Sequence, residues 1–233
     1  MKPIKQMSSV IKSIRDLSPT AREVTLTLTD DMSFMAGSFV NMFIMKNGEK
    51  LRRAFSISSS EASTKEITLS IRHNPSGAVT PLFWQDDIVG TKVDLMGPLG
   101  LNTADKMQSG KIFLFGFGIG AGVIKSLAEH FVHRPTTTNL TIVTGNRSES
   151  ELLHKDYFDT LAKNNKNVTI EYVVSEKSQI KYPVGYIQNY VSQYDFNNAD
   201  VYICGQTVAC EALKQTINMT KPNNCRFFIE DFH

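Results

Sequence analysis

Residues 24–29, Val-Thr-Leu-Thr-Leu-Thr, alternate apolar and polar positions without a break. A period of two puts all the apolar side chains on one face of a strand and all the hydroxyls on the other. Related runs rich in strand formers follow at 39–44, 53–57, 67–71 and 93–95. Asn47-Gly48, between the second and third of these, is a hairpin turn signal, so 53–57 is expected to pair with 40–44. One helical turn is expected over 79–84, and Gly97-Pro98-Leu99-Gly100 ends the last strand. Short strands separated by turns predict a small antiparallel β-barrel or a sandwich; the pattern does not separate the two.

The pattern then changes. Ile112-Phe113-Leu114-Phe115 is apolar without alternation, as in a strand buried on both faces. Beyond it, strands at 140–143, 168–174, 201–203 and 227–229 alternate with helical stretches at 120–131, 149–163, 184–193 and 207–217. Five strands with intervening helices predict an α/β doubly wound parallel sheet. The polar stretch 102–110, with Asp105, Lys106 and Gly110, has the composition of a linker. The predicted organisation is a barrel domain over 1–102, a linker over 103–110 and an α/β domain over 111–233. Ligands of such sheets bind at the carboxyl ends of the strands. The loops there start at Gly116, Thr144, Ser175 and Cys204.

Composition narrows the field. At 233 residues and 41% hydrophobic content the chain can bury two cores. A net charge of +2 argues against nucleic acid or anionic membrane as the main partner. No apolar run is long enough to span a bilayer, and Met1-Lys2-Pro3-Ile4-Lys5 does not open a signal peptide. Cys204, Cys210 and Cys225 lack paired spacing, which disfavours a disulfide framework, a zinc site or a four-cysteine cluster and fits a reducing cytoplasm. His73, His130, His133, His154 and His233 form no metal-ligand pattern, His233 being expected to be mobile, and Ser56 has no His and Asp partners placed for nucleophilic catalysis.

Four stretches carry candidate chemistry. Residues 52–60, Arg-Arg-Ala-Phe-Ser-Ile-Ser-Ser-Ser, combine two guanidinium groups, an aromatic ring and a run of hydroxyls. An anionic group needs charge and donors, and a flat ring needs an apolar wall; a strand edge with ordinary surface charge is the alternative. Gly116-Phe117-Gly118-Ile119-Gly120-Ala121-Gly122 joins a buried strand to a helix, where backbone N–H groups can approach a phosphate. The acidic residue usual after the second strand of a dinucleotide fold is missing; Thr144-Gly145-Asn146-Arg147 stands there instead. Pro75-Ser76-Gly77-Ala78-Val79-Thr80, after Arg72, is a second phosphate candidate or a plain surface loop. Cys204-Gly205-Gln206 ends the fourth parallel strand, and Glu230 and Phe232 lie beyond the last.

In this order, an Arg-x-aromatic-Ser strand, a Gly-x-x-Thr turn, Gly-Pro-Leu-Gly, a glycine loop and a Cys-Gly strand end resemble the ferredoxin–NADP reductase superfamily of flavoproteins, over nearly the whole chain. The resemblance implies FAD on the barrel. Arg53 would pair with its pyrophosphate and Phe55, where tyrosine is usual, would lie against the isoalloxazine. Ser56 would bond near flavin N5, and Gly77, Ala78, Val79 and Thr80 would hold the pyrophosphate from its other side. Ala54, Ile71 and Phe232 complete the implied FAD set. NADH or NADPH would bind through Gly118, Ile119 and Gly120 at its phosphates and Thr144, Gly145, Arg147 and Ser175 near its ribose. Cys204, Gly205 and Gln206 would lie near the nicotinamide. Ser56, Cys204 and Glu230 are the implied catalytic residues.

Three departures stand out. Gly122-Val123 replaces the family's Ala-Pro or Thr-Pro, and Cys-Gly-Gln replaces Cys-Gly-Pro. Ser175-Glu176-Lys177 replaces the Ser-Arg that holds a 2′-phosphate; its carboxylate tilts the expectation toward NADH, with Lys177 able to offset it. Tyr186-Ile187-Gln188 is similar to the adenosine-contacting Tyr-Ile-Gln of plant-type members.

The implied activity is transfer of hydride from NAD(P)H to FAD and of electrons to a separate acceptor, a ferredoxin- or flavodoxin-like protein or a small molecule. Lys46, Lys50, Arg52 and Arg72 are candidates for a basic docking face. A reductase of free flavin is a second reading, disfavoured by the 77–80 clamp. A non-catalytic redox-sensing subunit is a third.

Overall fold

The computed structural model describes residues 2–133, 138–176 and 181–232; Lys177 and His233, both considered above, lie outside the described residues. The chain divides into two compact units between Thr103 and Ala104.

The first unit contains β1 (Lys5–Ser18), β2 (Ala21–Leu28), β3 (Phe39–Lys46), β4 (Glu49–Ser56), β5 (Glu66–Arg72) and β6 (Lys92–Leu99). They form one antiparallel sheet in the order β4-β3-β6-β1-β2-β5. Its two edges meet where Ile57, just past β4, bridges Leu69 of β5, and the Ser58 N–H donates to Thr68 O at 2.8 Å. That contact closes the sheet into a barrel and removes the sandwich alternative. The β3–β4 hairpin turns on Asn47 and Gly48, both at positive φ (51° and 81°), as a two-residue turn of the right hand requires. Val40, Met42, Ile44, Leu26, Ile67 and Leu69 fill the interior. A 3₁₀ turn at Thr80–Trp84 lays Phe83 into the same core.

β1 is the strand that the hydrophobic pattern does not announce. Its register shifts between Ile11 and Ser13 and again between Asp16 and Ser18. A bulge inserts a residue and breaks the period of two, so apolar positions stop alternating although the strand continues.

The second unit has β7 (Lys111–Phe117), α1 (Ala121–Val132), β8 (Asn139–Asn146), α2 (Lys155–Asn164), β9 (Val168–Val174), β10 (Asp200–Gln206), α3 (Thr207–Met219) and β11 (Arg226–Phe232). The strands run parallel in the order β11-β10-β7-β8-β9. The chain winds outward from β7 to one side, then returns to its other side with β10. The switch point therefore lies between β7 and β10. Phe113, Phe115, Val143, Val201 and Ile203 pack with Leu213 and Ile217 of α3 and with Ile187 and Val191. On the opposite face the position of Gly116 lies against Ala121 and Ile124 of α1.

Two helices differ from the pattern. The helix expected over 149–163 starts only at Lys155, after a 3₁₀ turn at Glu149–Glu151 and a left-handed His154 (φ 55°). The one expected over 184–193 is a 3₁₀ segment, Ile187–Gln193; Tyr186 and Asn189 cap its start, and Asn-Tyr-Val-Ser contains poor α-helix formers.

The stretch with linker composition is packed into the second unit from Ala104 onward. Ala104 and Met107 are fully buried. The N–H groups of Gln108 and Ser109 donate to Asp200 Oδ2 at 2.7 and 2.8 Å. Arg226 grips the same buried carboxylate with Nε and Nη2, both at 2.7 Å. Asp105, Lys106, Gln108 and Gly110 face solvent, while the buried Ala104 and Met107 and the main-chain bonds to Asp200 fix the segment to the second unit.

Candidate functional site: an anion-binding seam and a parallel-sheet edge

Among the described residues the two edge strands are bridged just past β4, at Ile57 and Leu69, so the barrel has a seam along β4. Arg53 lies on that strand opposite Met42, between Leu51 and Phe55 on the inward-facing side. Met42 is fully buried, yet Arg53 is exposed. Its guanidinium has no counter-ion or hydrogen-bond partner among the described residues. An arginine in line with core side chains and left without an anion is a ready acceptor for one. Arg52 and Ala54 face the other way, with Phe43 opposite Arg52.

Phe55 is committed to the core: 9% exposed, with its ring edge-on to Phe83 at 5.9 Å. Ser56 is half-buried beside it. Ile71, expected in the FAD set, is 1% exposed as a whole residue and belongs to the barrel core.

The loop after β5 is held in shape by Thr80. Its Oγ1 accepts the Asn74 N–H at 3.1 Å and donates to Asn74 O at 3.2 Å. Lys46 Nζ, at the end of β3, donates to Ala78 O at 3.2 Å, which ties the loop to the hairpin preceding β4. The N–H groups of Ala78 and Val79 have no acceptor among the described residues. Gly77 completes the tight turn through its N–H to Asn74 O at 2.9 Å. Free amides and an uncompensated arginine in one unit fit the diphosphate of FAD. Thr80 shapes this loop through bonds already made.

In the second unit Gly120 and Gly205 are explained by close packing at the switch point. A Cβ on Gly120 would lie 2.3 Å from Cys204 O, and one on Gly205 would lie 2.6 Å from Phe117 Cβ. Both positions exclude any side chain, and this brings the ends of β7 and β10 together. Gly118 is left-handed (φ 53°), Ile119 is half-buried, and Gly120 leads into α1 with no side-chain cap. The first amides of a 12-residue helix thus lie at the carboxyl edge of the sheet, where an anion is favoured.

At the end of β8, Thr144 and Asn146 are 1% and 7% exposed. The Thr144 hydroxyl and both polar atoms of the Asn146 amide have no hydrogen-bond partner among the described residues. Buried polar atoms are ordinarily satisfied. These orphaned groups beside the uncapped helix fit the hydroxyls and amides of a dinucleotide. Asn146 stands in the Thr144-Gly145-Asn146-Arg147 stretch of the sequence but was not among its expected site residues; the signal was a polar amide at the last position of β8. Gly145, on the other face, lies against Ile187 and Phe117. Arg147 is 80% exposed and paired with Glu176. Ser175 is exposed, and its N–H donates to Asn146 O at 3.0 Å. Tyr186 is 67% exposed.

Cys204 is fully buried, and in the pairing of β10 with β11 it lies opposite Glu230. Burial pushes its thiol well up, and Glu230 pushes it further, so it is a neutral thiol at physiological pH. Tyr202, two residues earlier and also fully buried, donates from Oη to Glu230 Oε2 at 2.8 Å. Burial raises this phenol and Glu230 raises it further, so it remains a donor. Gln206 is exposed at the start of α3, and Phe232 is half-buried at the end of β11.

Three of the four basic groups considered for a docking face already make contacts within the first unit, and Arg52 is exposed on β4. Lys50 is paired with Asp94, Lys46 is bound to Ala78 O, and Arg72 Nη1 donates to Thr20 Oγ1 at 2.7 Å. Among the described residues there is no metal-ligating cluster, and no helix is long and apolar enough to cross a membrane.

Residues 8–103 match the oxidoreductase FAD-binding domain, and residues 114–215 match the oxidoreductase NAD-binding domain. The chain is similar to the reductase component of phenol 2-monooxygenase from a Pseudomonas species, 25% identical over 99% of this chain and 67% of that protein. Its structure is similar to that of an Amycolatopsis cytochrome P450 reductase, with TM-score 0.92 and 21% identity over 100% of this chain and 71% of the other. It is also similar to a Neisseria gonorrhoeae ferredoxin NADP⁺ reductase with bound FAD and NADP, with TM-score 0.84 and 14% identity over 97% and 98%. The chain spans about two thirds (65 to 67%) of the length of the first curated relatives it matches.

Proposed function

Because the chain belongs to the ferredoxin–NADP reductase superfamily of flavoproteins, with its FAD-binding domain preceding its NAD-binding domain, we propose that it is an NAD(P)H-dependent flavoprotein reductase serving a separate electron acceptor. Bound FAD would supply acceptance of a hydride from the nicotinamide and release of electrons singly or in pairs. The chain's own part is to bind, orient and shield.

Arg53 and the amides of Ala78 and Val79 hold the diphosphate of FAD. Ser56 offers a hydroxyl to the flavin edge, and Phe55 forms an apolar floor braced by Phe83. On the second unit the start of α1 takes the dinucleotide's phosphates, while Thr144 and Asn146 satisfy its polar groups. Cys204 contributes bulk and dryness, since its thiol stays protonated. Glu230, fixed by Tyr202, presents a carboxylate at the same strand ends. The observation that carries this reading is the coincidence of an uncompensated Arg53 in one unit with orphaned buried polar groups at the carboxyl edge of the other.

The acceptor is proposed to be a partner protein of the oxygenase or ferredoxin type, in the cytoplasm. Similarity to the reductase component of a monooxygenase supports the oxygenase-type partner. The free-flavin reductase reading requires FAD to exchange. Reconstituted protein is expected to keep about one FAD per chain through desalting, measured by absorbance after denaturation. Loss of all flavin in that step would favour the exchanging enzyme.

A further inference from the structure

The loop that follows β5 is exposed at Asn74, Pro75, Ser76 and Ala78, so its shape depends on how its two ends are held. We propose that a stack of His73 on Trp84, braced from the β1–β2 turn by Thr20 and Arg22, positions the main-chain amides of this loop for the diphosphate of FAD. This role presupposes the flavin reading above. These are positioning residues, acting through the loop rather than on the cofactor.

His73 opens the loop, and Trp84 ends the 3₁₀ turn that closes it. Their rings stack with centroids 4.4 Å apart and planes 30° from parallel. Both are tied to the same turn between β1 and β2. The His73 N–H donates to Thr20 O at 2.8 Å, and Arg72, one residue earlier, donates from Nη1 to Thr20 Oγ1 at 2.7 Å. Arg22 holds the Trp84 side. Its Cζ lies over the indole, 4.9 Å from the ring centroid, and its Nη1 donates to Phe83 O at 2.8 Å. Its Nε donates to Asp16 Oδ1 at 2.8 Å, so the guanidinium is fixed in orientation.

Stacked rings resist separation, and a guanidinium over an aromatic face adds attraction. Inside the loop, Thr80 bonds Asn74, and the Ser76 N–H and Oγ both donate to Asn74 Oδ1, at 3.2 and 2.9 Å. Those bonds need residues 74 and 80 side by side, and the stack holds the chain together just outside them. A loop pinned at both ends loses less freedom when the ligand binds. The Ala78 and Val79 amides are therefore in place before FAD arrives.

Hydrogen exchange of the FAD-free protein and fluorescence titration with FAD test this together. His73→Ala should speed exchange of the Asn74, Ser76 and Gly77 amides about tenfold while leaving β1, β3 and β6 unchanged. It should also weaken FAD binding about tenfold. Trp84 is the chain's only tryptophan, so its emission should change when the stack is lost. His73→Phe keeps a ring against Trp84 and should bind FAD within about twofold of wild type. Arg22→Gln should weaken FAD in the same direction as His73→Ala. Wild-type FAD affinity or unchanged Trp84 emission in His73→Ala overturns the brace alone. So does a loss that His73→Phe does not recover, or faster exchange spread evenly over the barrel. A wild-type protein that binds no FAD overturns the brace together with the flavin reading.

Discussion

Arg53 and Arg52 are neighbours with opposite fates. Strand alternation turns Arg53 toward the barrel seam in line with Leu51 and Phe55, and turns Arg52 toward Phe43 on the outer face. A charge-assisted hydrogen bond is worth roughly 1.5–3 kcal/mol. Arg53→Ala is therefore expected to weaken FAD binding at least about tenfold with little change in melting temperature, and Arg52→Ala to do neither. Quenching of FAD fluorescence on titration measures both; wild-type affinity in Arg53→Ala would mean that the guanidinium is only surface charge. Sequence alternation alone was enough to separate these two arginines. It was not enough for Asn146 or Tyr202. Their significance lies in what surrounds them: no partner for one, and the Glu230 carboxylate from a neighbouring strand for the other. Partners supplied by distant segments leave no local trace.

At the scale of elements, apolar runs and strict alternation marked most strands. They failed at β1, where bulges break the period, and at 149–154 and 184–193, where a left-handed residue and poor helix formers override helical spacing. The 104–110 segment shows the same limit. Its main chain is held by Asp200 at the start of β10, which joins that segment to β11 through Arg226. Asp200 is fully buried, and Asp200→Ala strands two amides and a guanidinium at once. A loss of about 2–4 kcal/mol is expected, read by urea denaturation of the whole chain. A change below about 0.5 kcal/mol would show that water satisfies those donors equally well.

For the molecule as a whole, a barrel with an anion-ready seam and a doubly wound sheet with an unsatisfied edge are two binding devices in one chain. Each was legible as a fold type from its hydrophobic period, and the ordered motifs pointed to the flavoprotein family. The chemistry that each edge performs came from burial and unmet hydrogen bonds. The FAD-binding and NAD-binding domains in one chain support transfer of hydride from a reduced nicotinamide to FAD on this protein. The most direct test is anaerobic addition of a stoichiometric amount of NADH to the FAD-loaded protein while the visible flavin absorbance is followed. The absorbance should bleach promptly, and more readily with NADH than with NADPH. A yellow protein whose spectrum neither nucleotide changes would contradict the assignment as a reductase.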